Sequence, residues 1–193
     1  MNKDTFKFVY RKILKMEKLV LVFSVFASFL LLSCNGQKEA ALKVVDQVDL
    51  QKYTGKWYEI ARLPNSFEEG LECCTAFYTL LPNGKLEVLN TGHLIDDHSK
   101  VKKAKGKAYV PDDKEPGKIK VSFFGPFYGN YWIIALDEDY QHAMVGEPSR
   151  KYLWILSRTT NLPENKYQDL VSLAKSLGFN TDIIIRVKQE CGN

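Results

Sequence analysis

Histidine and cysteine are scarce in this chain of 193 residues, and where they occur they are badly placed for chemistry. His93, His98 and His142 are scattered, and Cys34, Cys73, Cys74 and Cys191 form neither a C-x-x-C pair nor a Cys/His ligand spacing, so no metal site is expected. The sequence also lacks a G-x-S-x-G elbow, a spaced cysteine and histidine pair, and a glycine-rich phosphate cradle. With no aligned acid, base or nucleophile, it reads as a non-enzyme without a cofactor. A basic face is missing as well. The formal charge is +4, but six of the 27 lysines and arginines and two of the 23 acidic residues precede Cys34, which leaves 21 of each after it. A chain that is neutral beyond its leader offers no electrostatic footprint for nucleic acid. No apolar run is long enough to span a bilayer either: the uncharged stretch from Leu19 to Ser33 has 15 residues, against the roughly 20 that a helix needs.

That short run has the layout of a targeting segment, with a basic stretch from Lys3 to Lys18 before it and Cys34 after it. Leu31-Leu32-Ser33-Cys34 resembles a bacterial lipobox, which implies a lipoprotein signal peptide over residues 1–33 and acylation of Cys34 as the first mature residue. Asn35, in place of an aspartate, implies the outer rather than the inner membrane, with the periplasmic face as the expected side. Met1 and Met16 both fit as the start, since a leader beginning at Met16 has the usual compact form. Residues 34–48 read as a tether leading to a short turn at Asp49 to Tyr53, and residues 49–193 as one domain large enough for a substantial core.

From Trp57 onward the chain alternates short β-branched or aromatic runs with turn signals, the pattern of an antiparallel meander. Strands are predicted near 57–63, 74–81, 85–92, 103–110, 117–124, 129–136, 142–146 and 152–158. They are punctuated by Pro64-Asn65, Pro82-Asn83-Gly84, Pro111-Asp112-Asp113, Gly125-Pro126, Asp137-Glu138-Asp139 and Glu147-Pro148. The period then changes. Leu170, Leu173, Ala174 and Leu177 follow helical spacing between Pro163-Glu164 and Gly178, and Ile183-Ile184-Ile185 predicts one more strand within Thr181 to Lys188. The fold class is therefore all-β: an eight-stranded antiparallel up-and-down barrel with one C-terminal α-helix packed outside, which leaves no open sheet edges.

Gly55-Lys56-Trp57-Tyr58, about a hundred residues before Arg158 in Leu156-Ser157-Arg158, resembles the lipocalin signature. The runs Gly55 to Arg62, Val121 to Tyr128, Ile134 to Asp137 and Tyr152 to Thr159 are similar to the bacterial branch of that family, over essentially all of residues 49 to 188. The resemblance implies that Trp57 plugs the closed end of the barrel and that Arg158 lies across its ring. One motif departs: the family's Thr-Asp-Tyr is here Asp137-Glu138-Asp139-Tyr140, which recasts that turn.

Side chains alternate across a strand, so placing Arg158 inside the closed end puts Leu156 and Trp154 on the inward side. By the same alternation and the resemblance, Ala76, Tyr78, Val88, Asn90, Ala108, Ile119, Val121, Phe123, Tyr131, Ile133, Ala143 and Val145 line the interior. Of these, Tyr78, Val88, Asn90, Ala108, Val121, Phe123, Tyr131, Ile133, Val145 and Trp154 are the candidate ligand-binding residues. An apolar wall with isolated polar handles suits a lipid. Cys73 then faces outward toward the C-terminal tail, and Cys74 inward among apolar groups. The resemblance supports a bridge between Cys73 and Cys191, since lipocalins outside bacteria often join a strand to the tail this way; Cys74 to Cys191 stays open as the alternative. At the mouth, Phe67, Phe127 and Tyr128 offer exposed aromatic surface to a bilayer, another subunit or an incoming acyl chain, and Lys100, Lys102, Arg150 and Lys151 are expected to attract a phosphate or carboxylate head group. Glu59 and the Asp137 to Asp139 cluster read as solvated or turn-stabilising.

What the resemblance implies about function is an outer-membrane-anchored carrier that binds a fatty acid or lysophospholipid for lipid storage, transport and envelope maintenance under stress. The expected partners are the lipid and, through the N-terminal anchor, the membrane; a homodimer is allowed because related bacterial members can pair. The alternatives are an envelope scaffold whose barrel is packed shut, and a lipocalin-type enzyme acting on its cargo.

Overall fold

The computed structural model describes residues 41–191. The expected signal peptide and the acylated Cys34 lie outside these residues. Eight antiparallel strands run β1 (Gly55–Arg62), β2 (Leu71–Leu80), β3 (Leu86–Leu94), β4 (Asp97–Tyr109), β5 (Lys118–Phe124), β6 (Phe127–Leu136), β7 (His142–Gly146) and β8 (Leu153–Ser157). Each pairs with the next, and β1 pairs with both β2 and β8, which closes the barrel. A short helix α1 (Leu50–Tyr53) precedes β1, and α2 (Glu164–Ser176) follows β8. Asp49 caps α1, its carboxylate accepting from the amides of Gln51 and Lys52.

Three strands extend beyond the sequence expectation at the mouth: β2 begins at Leu71, β4 at Asp97 and β6 at Phe127. The lysine-rich start of β4 shows no periodicity of its own; it is a strand because β3 supplies a ladder from Val101 to Ala108. β5 pairs only with Lys107, Ala108 and Tyr109 of β4, so the β3–β4 hairpin projects beyond its neighbour. Lys102, Lys103 and Lys105 guard that free edge.

The expected ninth strand is shorter than predicted. Thr181–Ile183 form a 3-10 turn, and only Ile185–Arg186 (β9) pair with β1. The tail fills a gap. β1 follows β2 only as far as Tyr58 opposite Thr75. Beyond that point the Val187 amide donates to Ile60 O, the Cys73 amide donates to Lys188 O, and Gln189 Nε2 donates to Glu59 O and Cys74 O. The tail thus satisfies backbone groups that the diverging strands would leave open. The Cys73–Cys191 disulfide spans the same gap.

Two apolar cores flank the sheet. Outside, α2 buries Tyr167, Leu170 and Ala174 against Ile60, Ile134, Met144 and Ile155. Leu173, expected on this face, is exposed, because Tyr167, Leu170 and Ala174 already form the contact stripe. Inside, Tyr53, Trp57, Tyr78, Leu86, Val88, Ala108, Ile119, Ile133, Ala143, Val145 and Leu156 form the second core. The chain is packed from Leu42 onward: Leu42 is buried and the Val45 amide donates to Ile133 O, so the segment read as a tether lies on the barrel over its last residues.

Candidate functional site

The lumen is closed at the β1 end by a small set of groups in contact. Trp57 is wholly buried and donates from Nε1 to Tyr53 O, 2.9 Å away. The Arg158 guanidinium lies 3.8 Å from the Trp57 ring centroid and donates to the carbonyls of Lys52, Tyr53, Lys56 and Tyr140. Lys52 and Tyr53 end α1, so this cation also caps the helix. Tyr140, in the recast motif, adopts a positive φ of 57° and accepts the Asp49 amide at its hydroxyl, while Asp137 accepts the His142 amide.

Above this floor three tyrosines meet. Tyr78 donates to the Tyr131 hydroxyl at 2.7 Å, and the Tyr53 and Tyr131 hydroxyls share a hydrogen bond of 2.8 Å. Burial holds all three phenols above their ordinary pKa, so they are neutral hydrogen-bonding groups. Of three hydroxyl protons only two are used within the trio, which leaves one O–H for another acceptor.

The structure places Tyr78, Val88, Ala108, Ile133 and Val145 in the inner core, with Val121, Phe123, Tyr131 and Trp154 packed against it. Packing is dense at the floor and looser above. Tyr53, Trp57, Ile133, Ala143 and Val145 are wholly buried, whereas Ala76, Asn90, Val121, Tyr131 and Trp154 are only half-buried on the concave side. Asn90 pairs in register with Ala76 and Ala104, and its Oδ1 is buried with no hydrogen-bond partner among the described residues. Small neighbours and an unspent acceptor face the same space.

A charged cluster near the mouth corrects the reading of Glu59 as solvated. Glu59 and Arg62 are about 5% exposed and form an ion pair of 2.6 Å. A register shift between Glu59 and Ala61 turns both side chains inward, where strict alternation would separate them. Arg62 also donates to Glu68 O and Leu71 O, each at 2.9 Å. Glu68 accepts from Trp154 Nε1 at 3.0 Å and from Asn65 Nδ2 at 2.6 Å, which folds the 63–70 loop over the lumen. Burial and the neighbouring Glu68 push the Glu59 carboxyl well above the usual range, against the pull of Arg62. Glu68 and Asn65 were not legible as site residues, but the two charges within the apolar run Trp57 to Leu63 were a signal.

Cys74 also departs from expectation. Its sulfur lies against Gly92 and Leu71 and accepts from Arg62 at 3.8 Å, so its neighbours are not all apolar. Burial and the two glutamates push the thiol up to about 12, which keeps it protonated and poorly nucleophilic. At the mouth, Arg150 donates to Leu177 O and Pro148 O and Lys100 pairs with Asp97, so two of the four expected head-group cations already serve the fold. Donor atoms of Glu72, His98 and Cys191 lie within 4.8 Å of one another, but the Cys191 sulfur is in the disulfide, which leaves two ligands and no metal site there. Two clefts, of about 1040 Å³ and about 690 Å³, are lined by the closed-end turns and by the 64–72 loop with the tail, respectively.

The family model of the lipocalin-like domain matches residues 48–189. The chain belongs to the lipocalin family. This lipocalin is 43% identical over 175 residues to the outer membrane lipoprotein Blc of Citrobacter freundii, covering 90% of this chain and 98% of that one. It is 38% identical over 160 residues to temperature-induced lipocalin-1 of Arabidopsis thaliana, covering 77% and 83%. Among solved structures, insecticyanin from the tobacco hornworm Manduca sexta superimposes with a TM-score of 0.61 at 24% identity, over 76% of this chain and 84% of that one. The lipocalin barrel explains why Trp57 and Arg158 sit together although they are 101 positions apart in the sequence: β8 closes on β1.

Proposed function

We propose that this lipocalin is anchored to the bacterial outer membrane through an acylated Cys34 and holds a single-chain lipid, a fatty acid or lysophospholipid, in its barrel. The match to outer membrane lipoproteins along nearly the whole chain supports the location, and binding rather than catalysis is the reading that a protonated Cys74 and neutral tyrosines favour. The observation that carries the ligand class is the Asn90 amide. Its buried, unpaired oxygen in an apolar wall needs a donor, and such an orphan otherwise costs about 1–3 kcal/mol. A lysophospholipid glycerol hydroxyl supplies that donor; a fatty acid does so only when protonated. The apolar wall from Val88 to Val145 holds the acyl chain, at about 0.8 kcal/mol per buried methylene.

Native mass spectrometry of gently purified protein tests this. Mass increments of single-chain lipids are expected, and a barrel that is empty after purification and refuses added lipid refutes the proposal. Asn90→Leu should lower the preference for a lysophospholipid over the fatty acid of equal chain length by roughly tenfold or more. An unchanged ratio would remove Asn90 from the site.

A further inference from the structure

The exposed apolar side chains of the loops are gathered at one end of the barrel. All four connections at the mouth carry one: Phe67 between β1 and β2 (57% exposed), Ile95 between β3 and β4 (54%), Phe124 and Phe127 flanking the β5–β6 turn (83% and 78%), and Tyr152 before β8. The closed-end connections, residues 81–85, 110–117 and 137–141, have no large apolar side chain exposed to that degree. A soluble surface scatters such residues singly, so a ring of them around one opening calls for a partner.

Charge indicates which partner. Lys100 and Lys105 are paired with Asp97 and Glu87, but Lys102, Lys103 and Lys107 on β4 have no ion pair among the described residues. The Lys107 ammonium reaches the β5–β6 turn, 3.9 Å from where a Cβ would stand on Gly125. A protruding pair of phenylalanines with unpaired ammonium groups beside it matches the boundary between acyl chains and anionic head groups. A protein partner would instead need a continuous complementary face, and the rim is a set of separate tips around an opening.

We infer that the open rim is a membrane-contact surface, in which the Phe124 and Phe127 tip enters an anionic bilayer at head-group depth while Lys102, Lys103 and Lys107 meet lipid phosphates. This goes beyond an N-terminal tether, because it sets the orientation of the barrel: the mouth faces the lipid. It does not require that the lumen hold lipid.

The test uses the chain as purified from membranes, carrying fluorinated phenylalanine, in phosphatidylethanolamine and phosphatidylglycerol vesicles doped with spin-labelled lipid. Resonances of Phe124 and Phe127, assigned with Phe124→Leu and Phe127→Leu, should broaden several-fold more than that of Phe77, which is exposed on the outer face of β2. Replacing phosphatidylglycerol with phosphatidylcholine, or combining Lys102→Glu, Lys103→Glu and Lys107→Glu, should remove most of the excess. Equal broadening of Phe77, Phe124 and Phe127 would mean that the barrel only hangs from its anchor, and would overturn the inference. Excess broadening that ignores both the lipid charge and the lysine substitutions would overturn the anionic assignment. If Phe124→Ser with Phe127→Ser converts a dimer to a monomer in sedimentation, the rim is a face between two copies. Lipid occupancy by native mass spectrometry is read separately, so failure here leaves the proposed cargo untouched.

Discussion

Arg62→Met removes the cation from the buried pair at the mouth of the lumen and leaves Glu59 without a counter-charge. The pair is 2.6 Å apart with both side chains nearly inaccessible, and Arg62 holds two loop carbonyls besides. Breaking one side of such a pair costs about 3–5 kcal/mol. The cost depends on pH, because burial and Glu68 already hold Glu59 well above its ordinary pKa. A native state that keeps its proton to higher pH than the unfolded chain loses stability as pH rises from the unfolded value, about 4.3, through the raised native one. Removing Arg62 raises the native value further and widens that window. The deficit of Arg62→Met should therefore be smallest near the unfolded pKa and grow toward neutrality. Urea melts across pH would measure it, with Glu59→Gln as the control whose slope flattens. The double variant Glu59→Gln with Arg62→Met should recover most of the neutral-pH loss, since no bare charge remains buried. A deficit below about 1 kcal/mol, or one identical in acid and at neutral pH, would refute the reasoning.

Replacing Cys73 and Cys191 by serine opens a link across 118 positions, for which loop-closure entropy sets a ceiling of roughly 4–5 kcal/mol; guanidinium melts with and without reductant should differ by a large part of that. Arg158→Met should cost about 2–4 kcal/mol through lost stacking on Trp57 and lost carbonyl bonds, read by thermal melts in the near-ultraviolet circular dichroism of tryptophan; an unchanged midpoint would count against the plug. Gly106→Val places a Cβ 2.7 Å from Ser122 O and 2.8 Å from the Phe123 ring, so it should cost about 1–3 kcal/mol and reduce lipid occupancy in native mass spectra. Cys74, with its thiol pushed up to about 12, should resist iodoacetamide at mildly alkaline pH in the folded protein; stoichiometric labelling by intact mass would show that the site opens.

Eight strands, their turns, the outer helix and the meeting of Trp57 with Arg158 were legible because each rests on a local signal: period-two alternation, turn residues, a helical period, or a signature that carries its own geometry. The inward row was legible for the same reason, and every apolar residue expected in the lumen lies in or against the inner core. Alternation fails where a strand takes an extra residue. In β1 the register shift after Glu59 turns Glu59 and Arg62 to one side, and in β2 the shift between Glu72 and Thr75 puts Cys73 at a φ of 49° beside the tail. The start of β4 likewise had no pattern to read, since its strand state comes from β3.

By itself, then, the order of residues determined the barrel, its plug and the apolar character of its lining, because burial on one face of each strand imprints a repeating pattern on the chain. Only the tertiary structure decided that Glu59 and Arg62 share the lumen, that the Asn90 Oδ1 finds no partner among the described residues, and that the tail seals the gap between β1 and β2. Those outcomes depend on bulges and on the desolvation of groups brought together from distant positions, and neither leaves a periodic trace in the sequence.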